Sequence, residues 1–264
     1  LFERGKSFGF RSLFSEVTSD TNERMHQVTP YGDGVWVART GGGAVMRYEI
    51  GGDKLLNYVL IRDRFGSPVK RDINHINSVV QYGDVVLFTA THAGNQSMVG
   101  MMHGKSVTGF GYKNTGVHDI YLTGDDFLFF DSFGADGGLS GGAPVMGNAK
   151  LLPDLFGNPP GYVPRGAAQT DSEIVIGSSH KGKRKTRFKG NGQLIVSDNG
   201  KVKSVLTMPV AQIYQIINAR GEFLKALQVP PGADKVKQML ERALGAPIYE
   251  GEAEVSEIPA GAHL

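Results

Sequence analysis

Apolar and polar residues alternate in short runs along most of the chain, as in "VWVAR", "AVMRYEI", "VVLFTATH", "DFLFF", "EIVIGSSH", "QLIVSDNG" and "KVKSVLTMP". Each run is rich in β-branched and aromatic residues and is broken by Gly, Asp or Asn, which is the pattern of half-buried antiparallel strands joined by tight turns. One stretch departs from it. In "ADKVKQMLERALG", residues 233–245, Val236, Met239, Leu240 and Leu244 recur at helical spacing, and Gly245 stands where a helix stop belongs. A doubly wound α/β fold is excluded, because the rest of the chain has no room for crossover helices. The pattern predicts an all-β protein with one short C-terminal helix.

The runs also repeat. "MHQVTPYGDGVWVART" from Met25, "NHINSVVQYGDVVLFTATH" from Asn74 and "VHDIYLTGDDFLFFDSF" from Val117 each carry a His, a strand, a Gly-Asp turn and a second strand. Weaker copies begin at "RGAAQTDSEIVIGSSH" and "QIYQIINARGEFLKALQV". The matched positions are His26, His75, His118, Arg165 and Gln212, separated by 49, 43, 47 and 47 residues. Such even spacing with three or four strands per unit predicts a five-bladed β-propeller, a single domain over residues 1–264; an ordinary β-sandwich is the alternative, and it leaves the recurring His unexplained. Its blades start near residues 25, 74, 117, 164 and 211, the N-terminal "FGFRSLFSEV" closes the ring as a last strand, and residues 232–264 form the helix and a tail.

The His-led first strands, the Gly-Asp turns and the later "RG" start resemble an uncharacterised group of bacterial propeller-like proteins. More loosely, they resemble the propeller lyases and strictosidine-synthase-like enzymes. The resemblance spans roughly residues 23–220 and implies the propeller fold.

On that fold the repeated positions converge. His26, His75 and His118 would form a three-imidazole centre for a divalent metal, zinc, iron or manganese. Arg165 and Gln212 would orient a small anionic or polar substrate, and Asn77 and Tyr214 would face it, since strand alternation puts Asn77 on the face of His75 and turns Asp119 away from that of His118. The expected activity is that of a metal-dependent lyase, isomerase, hydrolase or oxygenase. The alternative is a non-catalytic propeller binding a protein or glycan, its channel filled by a structural His network. The Gly-Asp pairs are read as turn chemistry, Gly supplying positive φ.

Composition narrows the chemistry. With no Cys, disulfides, thiolate nucleophiles and Cys-based metal sites are excluded. Lys plus Arg number 28 against 26 for Asp plus Glu, so the whole molecule has almost no net field to recruit nucleic acid. Six of those cations lie in "HKGKRKTRFKG", residues 180–190, read as a solvated hairpin tip. The long irregular stretch of residues 134–164 is read equally as a loop covering the site or as a decorative insertion. No apolar run approaches a membrane span, and a soluble, cytoplasmic protein is the expectation.

Overall fold

The structure, a computed structural model, describes residues 25–40, 43–49, 54–59, 74–93, 96–114, 116–123, 126–132, 143–146, 161–169, 173–180, 189–198, 201–210, 213, 216 and 231–259. Its strands form antiparallel sheets in chain order. The first holds β1 (Met25–Tyr31), β2 (Gly34–Arg39), β3 (Ala44–Glu49) and β4 (Lys54–Val59). The second holds β5 (Ile76–Tyr82), β6 (Val85–Ala93), β7 (Gln96–His103) and β8 (Ser106–Tyr112). β9 (Val117–Thr123), β10 (Asp126–Asp131) and β11 (Ala143–Met146) make the third, and β12 (Tyr162–Gln169), β13 (Glu173–His180), β14 (Gly192–Asp198) and β15 (Lys201–Met208) the fourth. Two-residue turns close the first hairpins, with Gly32 and Gly83 at φ 58° and 59° supplying the left-handed step.

The helix stands as its spacing predicts. α1 (Ala233–Leu244) buries Val236, Met239 and Leu240, and ends at Gly245, whose φ of 90° suits a residue without Cβ. Its buried face packs onto the core shared by the second, third and fourth sheets, where Tyr121, Phe127, Phe129 and Phe130 are enclosed. Each such side chain contributes about 1.5–3 kcal/mol by leaving water. A second core joins the first and second sheets through Trp36, Val45, Ile76, Phe88 and Met98. Close approach governs part of it: a Cβ on Gly100 would come within 2.1 Å of the Phe88 ring.

The five-bladed propeller predicted from the repeat is not what the chain forms. Its strands lie in separate sheets of five, three, four and five strands, none of them closed or circular. Two physical reasons account for the difference. After the helix the chain makes two more strands, β16 (Pro247–Glu252) and β17 (Glu254–Pro259), and these hydrogen-bond along the open edges of β8 and β4, widening two existing sheets. Between Met208 and Ala233, where a fifth unit was expected, the described residues form no strand. The proposed closing strand, within residues 8–17, lies outside the described residues.

The sheets meet through their first strands, β1 against β5, β5 against β9 and β9 against β12. At these three junctions a hydroxyl near the end of a second strand donates to a backbone carbonyl at the start of the next sheet, and in the fourth sheet the corresponding hydroxyl donates to Ile213, beyond β15. Thr40 Oγ1 reaches Ile76 O at 2.8 Å, Thr91 Oγ1 reaches Val117 O at 3.3 Å, Ser132 Oγ reaches Pro164 O at 3.0 Å, and Ser179 Oγ reaches Ile213 O at 2.8 Å. All four hydroxyl residues are buried. Replacing Thr40 by Val keeps the shape and leaves the Ile76 carbonyl buried without this donor, a loss of about 1–3 kcal/mol. Urea denaturation of Thr40→Val should show a lower midpoint with an unchanged slope.

Candidate functional site

Where the first strands converge, each carries a β-bulge. The pairing slips between Met25 and Val28 in β1, between Ile76 and Ser78 in β5, between His118 and Ile120 in β9, and between Pro164 and Ala167 in β12. A bulge inserts a residue without a cross-strand partner and re-aims the side chains around it. Among the described residues the non-glycine residues at positive φ are His75, at 48°, and Asp119, at 49°, and both stand at or beside these bulges. Asp and His tolerate this region better than most residues, so the cost is about 1 kcal/mol each.

The bulges gather a buried polar cluster. Gln27 links three strands, its Nε2 donating to Asp119 Oδ1 at 2.9 Å and its Oε1 accepting from the Val79 amide at 2.8 Å. The other Asp119 oxygen accepts from the Gly166 amide at 3.0 Å, and the Ala167 amide donates to the Tyr121 hydroxyl at 3.1 Å. Asp119, Gln27, Tyr121 and Arg165 are all buried. Burial pushes the Asp119 carboxyl up from 3.8 to about 6, against the pull of the Gly166 amide, the Arg165 guanidinium, Tyr121 and Gln27. Burial, and then the neighbouring Asp119 charge, holds the Tyr121 phenol well above its ordinary range. Tyr121 is therefore a neutral hydrogen-bonding group at any physiological pH.

Beside this cluster the rings of His26 and His75 meet edge to face, 4.8 Å between centroids, and both residues are half-buried. The expected three-imidazole metal centre is not assembled. Among the described residues no group of three or more His, Asp or Glu is placed to hold a metal ion. Register explains part of this. Counted back from the strand ends Tyr31, Tyr82 and Thr123, the residue matching His26 and His118 is Asn77, while His75 lies two places earlier and outside β5.

Asn77 itself is engaged in joining sheets. Its Nδ2 donates to Val117 O at 2.8 Å and to Thr91 Oγ1, and its Oδ1 accepts from Thr89 Oγ1 at 2.6 Å. His118 is buried in β9, opposite Phe130. Gln212 and Tyr214 lie outside the described residues, as do residues 181–188 of the basic run and most of the long loop. Plain alternation turns Asp119 away from the face of His118, and the bulge between His118 and Ile120 brings it into the cluster with Gln27.

No family model matches the chain, and no curated protein matches it. Among solved structures it is similar to the crystal structure of the computationally designed Ika8 protein, at 8% identity and a TM-score of 0.38 over 72% of this chain. The chain spans 64% of that protein's length.

A carboxyl with a higher pKa folded than unfolded takes up its proton first in the fold. Its contribution to stability therefore rises as pH falls through 6 and is complete below about 4. Above 6 both states are ionised and the burial cost is borne in full. A shift of about two units corresponds to about 3 kcal/mol. The stability of the wild type minus that of Asp119→Asn, followed by denaturant titration from pH 7 to pH 4, should increase by about that amount; a flat difference would refute this assignment.

Proposed function

We propose that the convergence of the first strands is a binding site for a small anionic or polar molecule, with His26 and His75 as the groups that meet it. The observation that carries this reading is the coincidence of His75 and Asp119 at positive φ with bulges on all four first strands. Backbone strain held at one place by surrounding structure is a common feature of ligand sites. The imidazole pair is half-buried, its two rings in edge-to-face contact, and imidazole is a side chain suited to meeting an anionic or polar group. Arg165, buried and acting on Asp119, adds positive potential to the cluster. A metal is not needed for this recognition.

A structural reading has its own support, since both Asp119 oxygens and both ends of the Gln27 amide are already bonded within the protein. The two readings assign different parts to the residues. Gln27 and Asp119 tie the strands, and the imidazoles face outward to the ligand.

The test is a thermal-shift titration with small carboxylates and phosphate esters, each against its neutral amide or alcohol. Binding at a hundredfold excess over Kd stabilises the fold by about 2.7 kcal/mol, so a bound anion should raise Tm by several degrees. His26→Ala with His75→Ala should abolish that shift while leaving the ligand-free Tm within about two degrees. No shift with any anion, or an undiminished one in the double variant, would refute the proposal.

A further inference from the structure

The fourth strands of three sheets end differently. β4 is covered along its outer edge by β17, and β8 by β16. Both covering strands are acidic, with Glu250 and Glu252 in β16 and Glu254 and Glu257 in β17. β15, the fourth strand of the fourth sheet, pairs with β14 on one side and stands at the end of its sheet. Its side chains are exposed over most of its length, including Val205 at 48% and Leu206 at 53%, which alternation places on opposite faces, and Val210 just beyond it is 48% exposed.

An edge with free backbone groups and apolar side chains is a template for another strand. Chains usually blunt such edges, and β16 and β17 are blunted by Pro247, Gly251, Pro259 and their glutamates. β15 has Lys201 and Lys203 at its start, with a pairing shift between Val196 and Ser197 opposite them, and Lys203 Nζ lies 2.6 Å from Glu173. Among the described residues nothing comparable blunts it from Ser204 to Met208. The exposed Lys189 precedes Gly192 of β14, which pairs with Met208 at the far end of β15. The edge thus exposes Val205 and Leu206 at its centre, with Lys201 at its start, opposite Asp198, and Lys189 on the chain leading into the neighbouring strand at its far end.

We infer that β15 is a docking edge for an extended acidic segment of a partner protein, which adds to the fourth sheet as β16 and β17 add to the second and first. Main-chain hydrogen bonds along Ser204–Met208 supply the pairing, Val205 and Leu206 receive apolar side chains on the two faces, and Lys189 and Lys201 select acidic flanks. The occupant is an extended strand because the edge offers a hydrogen-bonding ladder and no groove.

The probe is a labelled peptide of residues 251–260, GEAEVSEIPA, with a control in which each Glu is replaced by Lys. The full chain is titrated by fluorescence anisotropy, and amide hydrogen exchange of residues 201–210 is followed. The expected result is binding of the acidic peptide at least tenfold tighter than the control, slowed exchange in Ser204–Met208, and loss of both in Val205→Lys with Leu206→Lys, whose exposed positions leave the fold intact. Equal binding of the two peptides, or none, overturns the inference. So does exchange in Ser204–Met208 that is already slow in the free monomer, which would mean that the chain covers its own edge. A concentration-dependent dimer by light scattering that the double variant makes monomeric would assign the edge to a second copy and overturn it as well.

Discussion

Hydroxyl-to-carbonyl bonds between consecutive units are the constraint on which the arrangement of the sheets depends. Hydrophobic burial is non-directional and would accept many angles between two sheets, whereas a donor that must meet one buried carbonyl accepts very few. Thr40, Thr91 and Ser132 each meet a carbonyl at the start of the following sheet, and Ser179 meets that of Ile213 beyond β15. The net gain per bond is modest, about 1 kcal/mol, but a buried carbonyl left without its donor costs more than the bond yields. The junction is therefore held less by what it gains when formed than by what every misplacement would lose. Ser97 shows the same economy, its Oγ donating to Thr91 O while accepting from the Val117 amide.

Once the starts of the first strands are pinned, each carries one more residue than the strand it pairs with. The extra residue goes into a bulge. That is why polar side chains, normally kept to the outer face of a strand, are gathered inside at Gln27, Asn77, Asp119 and Arg165. Asn77 serves this directly, since one amide reaches Thr89, Thr91 and the backbone of the third sheet. The buried cluster follows from the same geometry that sets the sheets against one another.

Features governed by near neighbours were legible in the sequence. Hairpins with Gly-Asp turns and the helix ending at Gly245 follow from residue chemistry within a few positions, and they stand as read. Recurrence of His-led hairpins was also visible, but a repeat says how many similar units exist and not how their edges are used. The strands β16 and β17 have no repeat signature, and their destinations on β8 and β4 are set by open edges more than a hundred residues away. Register was lost for a related reason. Aligning on His places His75 with His26 and His118, whereas counting from the turns places Asn77 there, two residues later. The recurring hydroxyls after "VWVAR", "LFTA", "FLFFD" and "VIGS" were a readable signal for the junctions, less conspicuous than His.

Asp119 is where structural need and observed chemistry part. The four junction hydroxyls are neutral, buried and fully effective, so the fold has an uncharged solution for tying one unit to the next. At Asp119 it uses an ionisable group, buried beside Arg165, whose charge costs stability at neutral pH. A neutral amide could accept from Gln27 or Gly166 without that cost, although its own N–H₂ would then face one of those donors. The carboxylate satisfies both donors at once, and for that alone the charge has a structural use. The left-handed backbone at His75 comes with a carbonyl that accepts from the Thr91 amide at 3.2 Å and a ring in edge contact with that of His26 at the half-buried margin of the cluster. The strain at Asp119 is accounted for by bonding within the protein.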